Sequence, residues 1–208
     1  ILRMLIEGRH DLALPGLLRE AARQVPGVGD PDSLAEEIFE YMMDRLRAYY
    51  VDGGGEFSAP ADVFEAVFAN RPESPLDFHR RILAVNAFQR LEAAETLAAA
   101  NKRVSNILRK AGAPEEAEPD DSLFQLPEEA ALYERLRDME PEVTELLGDG
   151  RYEEALVRLA DLREPVDAYF DTVMVMDEDP DKRRNRLALL ARMRRLFMHT
   201  ADLSRLAG

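Results

Sequence analysis

Residues 92–111 read EAAETLAAANKRVSNILRKA, and their spacing decides the fold class. Leu97, Val104, Ile107, Leu108 and Ala111 fall on one side at ~100° per residue, the signature of an amphipathic helix. Lys102, Asn106 and Arg109 project from the other side, flanked by Arg103 and Lys110. The same three-and-four spacing recurs along nearly all of the chain, and no segment alternates at two over a useful length. The sequence therefore predicts an all-α helical bundle. No fixed internal period argues for a solenoid.

Working outward, Ile1 to Glu7 reads as the tail of a helix that opens without a cap, which is expected of a fragment of something longer. Pro15 suits the first turn of a helix over Gly16 to Gln24. Ser33 is the expected cap of the next, with Glu36 completing a capping box. Its expected buried stripe is Leu34, Ile38, Met42, Leu46 and Tyr49, and Gly53-Gly54-Gly55 is its expected stop. Pro60 opens a short helix to Ala69, and Ser74-Pro75 opens one that buries Phe78, Ile82, Val85 and Phe88. A polar acidic loop, GAPEEAEPDDS, occupies 112–122. A helix from Pro127 to Leu147 is expected to kink or break at Pro141. Tyr152 to Met176 reads as one helix kinked at Pro165, with Val173 to Met176 as buried packing. Asp179-Pro180 begins a closing helix to about Leu206, with Leu189, Met193, Leu196, Phe197, Thr200 and Leu203 as its core stripe.

Composition excludes several functions. The 208 residues are 46% apolar and 33% charged, an ordinary globular balance long enough for a real core. Without cysteine there is no disulfide framework, thiolate metal site or cysteine nucleophile, and a reducing cytoplasm fits. No apolar run approaches the roughly 20 residues that cross a bilayer, so no membrane association is expected. His10, His79 and His199 lie far apart in no ligand spacing, so no metal is expected. No glycine-rich phosphate loop follows a strand, and nothing marks one carboxylate pair among 41 acidic residues as catalytic. The chain is expected to carry no catalytic residue and no cofactor.

Taken as a total, the formal charge of −14 argues against nucleic acid, but its distribution does not. Residues 1–111 carry 14 basic and 17 acidic side chains, residues 112–181 carry 5 and 23, and residues 182–208 carry 8 and 1. An acidic protein can still present a basic surface to a polyanion. On the closing helix Arg184, Arg192, Arg195 and His199 lie opposite the apolar stripe, after Lys182, Arg183 and Asn185 at its start. Arg, Lys and Asn suit RNA, because guanidinium groups pair with phosphates and stack on splayed bases. By pattern alone a solvated face is the commoner use of such charge. Pairing with the acidic 112–181 region is a further alternative.

Four ordered blocks resemble the carboxy-terminal region of the bacterial glycyl-tRNA synthetase β subunit: AAANKRVSNIL at 98–108, LREPVDAYFDTVMVM at 162–176, NRLALLARMRRLF at 185–197 and ADLS at 201–204. The opening ILRMLIE is similar to the continuation of a helix from that subunit's central region. The resemblance implies a helical bundle like the anticodon-binding domain of class I arginyl-tRNA synthetases, spanning 59–208, with 1–58 continuing from the upstream body. It implies tRNA carrying the glycine anticodon and the α subunit as partners, with ATP and glycine bound on that separate subunit. It makes Asn101, Lys102, Arg103 and Asn106 candidate RNA contacts, as well as Arg184, Asn185, Arg186 and Arg192. Arg109, Lys182, Arg183 and Arg195 of the two basic faces complete the expected set. Asn101 near the core edge and Arg186 near the apolar stripe have a structural use open to them as well. The competing reading is an all-α protein-interaction module whose acidic middle docks a partner without RNA binding.

Overall fold

Local caps and prolines set most helix boundaries in the computed structural model, which describes residues 1–52, 57–114 and 116–206. The helices are α1 (Leu2–Glu7), α2 (Leu14–Arg23), α3 (Pro31–Tyr50), α4 (Ala61–Phe68) and α5 (Pro75–Phe88), then α6 (Ala94–Ala111), α7 (Pro127–Gly148), α8 (Tyr152–Ala160), α9 (Arg163–Thr172) and α10 (Pro180–Met198). Two 3₁₀ turns, Asp121–Leu123 and Leu203–Arg205, complete the regular structure, and no strand occurs among the described residues. The all-α expectation holds. No helix is long and apolar enough to cross a membrane among the described residues.

α2 packs on α3, α4 and α8 on α5, and α7 on α8 and α9, while α10 lies between α6 and α7. One apolar cluster runs from Ile6 through Phe78, Leu97, Leu136 and Leu159 to Leu206. Ser74 caps α5 by accepting the Asp77 N–H at 3.3 Å, and Phe78, Ile82, Val85 and Phe88 are buried as expected. Gly112 ends α6 in the left-handed region at φ 59°, where its N–H donates to the Arg109 and Leu108 carbonyls.

Six expectations need correction. Asp30, not Ser33, caps α3, because its Oδ1 accepts the N–H groups of Asp32 and Ser33 at 3.1 Å ahead of Pro31. The buried stripe is accordingly Ala35, Phe39, Met43, Leu46 and Tyr50, mostly one position beyond the expected one. The Gly53-Gly54-Gly55 stop lies outside the described residues. The 152–176 segment is two helices, because Pro165 occupies the first turn of α9 and excludes a continuous hydrogen-bond ladder from α8. Val173 to Met176 lie outside any helix, with Val173 extended and a bend at Val175 and Met176. Val173 and Val175 are buried and Met174 and Met176 exposed, so the methionines do not fill the core. α10 stops at Met198, and α7 runs through Pro141 unbroken.

α10 departs furthest from an amphipathic surface helix. Every residue from Asn185 to Ala191 is buried, with polar groups among them. Sequence periodicity cannot show this, because the partners of those polar groups are supplied from residues 118–140 and 174–177.

Candidate nucleic-acid interface

The sequence-derived candidates separate into buried and outward groups. Asn101 is buried, and its Nδ2 donates to the Leu97 carbonyl one turn back at 2.9 Å. Asn185 is buried too; it accepts the Asp120 N–H at 2.7 Å and donates to the Asp120 carbonyl at 2.9 Å, pinning the acidic loop. Arg186 is held by Glu129 and Asp177, each at 2.7 Å, and by the Met174 carbonyl at 2.9 Å. These three are corrected from an RNA-facing surface to the interior, since burial keeps them from a polyanion.

The ion pair at Arg186 shapes its neighbours. Burial alone would raise the Glu129 carboxyl, but Arg186 and the N–H groups of Gln125 and Leu126 hold it below the usual carboxylate range. Asp177 is also held low, first by the Asp179 N–H and then by Arg186. Arg192 reaches Glu118 at 3.0 Å and also pairs with Glu140, and Arg195 pairs with Glu118 and with the Ala117 carbonyl at 3.2 Å. The alternative that these arginines serve the acidic region within the fold describes their geometry.

The outward group lies around the end of α6. Lys102, Arg103, Asn106 and Arg109 are exposed. Arg109 donates to Asn106 Oδ1 at 2.8 Å, and the Arg103 guanidinium lies 4.2 Å from the Phe170 ring centroid. Basic charge here also complements the carbonyl end of the α6 dipole.

Beside this face is a cleft of 580 Å³ between α6, α10 and the 203–205 turn. Lys102, Arg109, Arg194 and Arg205 bring four cations to it, and Ser105, Asn106, Asp202 and Ser204 bring neutral and acidic groups. Arg194 donates from Nε to Ser105 Oγ at 3.1 Å, joining α10 to α6. A second cleft of 340 Å³ carries Arg183 and Arg184 and shares Gly112 and Ala113 with the first. Lys182 is half-buried, Arg183 donates to the Asp177 carbonyl at 2.9 Å, and Arg184 pairs with Asp181 at 2.6 Å. The fold thus brings the two basic stretches of the sequence to opposite sides of one turn.

The wall formed by the 203–205 turn is anchored from α4 and α5. Arg81 donates from Nη1 to the His199 and Thr200 carbonyls at 2.5 and 2.9 Å, and Asn70 donates to the Met198 carbonyl. The Asp202 N–H donates to the Ala66 carbonyl at 2.9 Å. Arg81 is itself fixed by Asp77 at 2.8 Å and lies 4.3 Å from the Tyr152 ring centroid. Burial and the hydrogen bond to Asp77 push the Tyr152 phenol up to about 12, so it keeps its proton and donates.

Sequence reasoning missed Ser105, Arg194, Asp202, Ser204 and Arg205. Arg194 is not among the residues of the expected outward face, and the last three fall in a segment read as helix beyond the point where α10 ends. The basic run at 182–195 was the available signal, but it marks the pairs within the fold as strongly as the cleft. Among the described residues no group of three His, Asp or Glu side chains could hold a metal ion.

Residues 97–203 match a family described as the DALR anticodon binding domain. That span runs from the first turn of α6 to the 203–205 turn. The glycine–tRNA ligase β subunit of Ectopseudomonas mendocina (strain ymp) is 47% identical over 204 residues, which are 98% of this chain and 29% of the relative. The β subunit of Vibrio atlanticus (strain LGP32) is 44% identical with the same coverage. That of Coxiella burnetii (strain Dugway 5J108-111) is 46% identical over 212 residues, 100% of this chain and 30% of the relative. The chain spans less than a third of the length of these relatives.

Proposed function

The chain belongs to the DALR anticodon-binding domain family, and from that premise we propose that it is a non-catalytic tRNA-binding part of a glycine–tRNA ligase β subunit. The cleft beside α6 is the proposed grip, with Lys102, Arg109, Arg194 and Arg205 facing phosphates. The observation that carries this reading is the gathering of four cations in one cleft of a chain whose net charge is −14. Cations that neutralise phosphates release condensed counterions, and this supplies much of the affinity for RNA. The proposed substrate is tRNA carrying the glycine anticodon. The proposed setting is the cytoplasm, with the α subunit as partner and with ATP and glycine bound there.

The test is a salt titration of tRNA binding followed by fluorescence anisotropy. Affinity should fall with rising salt, and Lys102→Ala with Arg109→Ala should lower the slope of log K against log salt by about 2, one for each phosphate contact. Binding that ignores salt, or a double variant indistinguishable from the parent, rejects the assignment.

A further inference from the structure

The 580 Å³ cleft holds one carboxylate among its four cations, and that carboxylate is built into the wall. The Asp202 side chain is only 13% exposed. Its Oδ1 accepts the Ser204 N–H at 3.2 Å and the Ser204 hydroxyl at 2.6 Å, and its Oδ2 accepts Arg205 Nε at 3.2 Å. A carboxylate offers about four lone-pair sites, so one acceptor position on Oδ2 stays open. The Ala66 and Arg81 contacts fix the backbone at Asp202 and in the residues before it. Asp202 also caps the 203–205 turn, but an uncharged Asn or Ser would cap it as well without repelling phosphates. Asn106 adds an amide, which can donate and accept, to the same cleft.

We propose that Asp202 is a base-reading residue: Oδ2 accepts a hydrogen bond from the exocyclic amino group of one unstacked base, while the surrounding cations hold the flanking phosphates. Single-stranded bases are read on their pairing edges when splayed out of a loop, and Asp accepts from an amino group such as cytosine N4. The inference deepens the RNA-binding reading and rests on it.

The experiment measures the affinity of the 208-residue chain for RNA stem-loops that differ at one loop nucleotide, cytosine or uracil. On the pairing edge cytosine carries an amino donor at position 4 and an acceptor at N3, where uracil carries a carbonyl acceptor and an N–H donor. Pyrimidin-2-one riboside, which keeps the N3 acceptor and lacks only the amino group, is therefore the probe that isolates the amino contact. A loop position should exist at which cytosine binds about ten-fold tighter, a typical discrimination for one good base contact. Asp202→Asn keeps an oxygen for Ser204 and turns the other position into a donor, so the preference should vanish or pass to uracil. Should that variant fail to fold, the parent chain is tested with pyrimidin-2-one riboside, which lacks the amino group, and should lose the same factor. Salt-dependent binding with no cytosine preference at any loop position overturns the base-reading role and leaves the RNA-binding reading standing. A preference that survives Asp202→Asn, or survives loss of the amino group, also overturns it. Absence of any RNA binding removes both.

Discussion

Arg186 shows how a charge enters the core of this bundle. Its guanidinium and the Glu129 carboxylate are each at most 5% exposed, and neither would be tolerated there alone. Glu129→Ala leaves Arg186 buried with Asp177 as its remaining carboxylate, so it should lower unfolding stability by about 3 kcal/mol, the low end for a broken buried pair, in a urea titration. The pH dependence follows from the same contact. Glu129 is depressed from its ordinary 4.5, so its stabilisation is complete above that value and is lost as pH falls through the lower folded value. Glu129→Gln should flatten that part of the acid limb, read as midpoint against pH below about 4.5. Tyr169 makes the opposite case. Its hydroxyl is buried with no hydrogen-bond partner among the described residues, and burial pushes the phenol well above its ordinary value. Tyr169→Phe removes an unsatisfied group without opening a cavity and should raise stability by about 1 kcal/mol in the same titration.

At the scale of elements, two prolines with the same chemistry have different outcomes. Pro165 falls in the first turn of α9, where its missing N–H costs nothing and its ring forbids continuity with α8. Pro141 lies inside α7, yet Leu136, Met139, Val143 and Leu146 are buried on both sides of it and hold one helical register. The carbonyl left without a donor is that of Arg137, on the exposed side where water can serve it. Pro141→Ala should restore that bond and raise thermal stability, by up to about 3 kcal/mol on the intrinsic scale. A sequence shows both prolines and not which one the packing overrides. The same division governs what else was legible. The helices and most of their buried stripes follow from local spacing, as at Phe78, Ile82, Val85 and Phe88 on α5. On α6, Lys102, Asn106 and Arg109 were legible as an outward face for the same reason. The cleft's other wall was not, because Arg194 reaches it through the packing of α10 on α6 and Arg205 through the turn that Arg81 anchors from more than a hundred residues away.

The whole molecule divides its charge between internal and external work. Glu118, Glu129, Glu140 and Asp177 neutralise arginines of α10, so part of the acidic middle is the counter-charge of the core. Other acids, such as Glu134, Glu145 and Glu153, lie exposed on α7 and α8 and have no such duty. Their field repels a polyanion from that face and leaves the basic end of α6 as the approach. The two sets should therefore respond differently to neutralisation. Glu134→Gln, Glu145→Gln and Glu153→Gln together take the net charge from −14 to −11 without touching an ion pair of α10. The triple variant should keep its thermal midpoint, because exposed charge contributes little to stability. It should bind an unrelated RNA more tightly than the parent at 50 mM salt, and the difference should shrink at 200 mM as screening shortens the field. A larger gain for the unrelated RNA than for glycine tRNA would assign those carboxylates to discrimination by repulsion, since a purely solvating acidic face would leave both affinities unchanged.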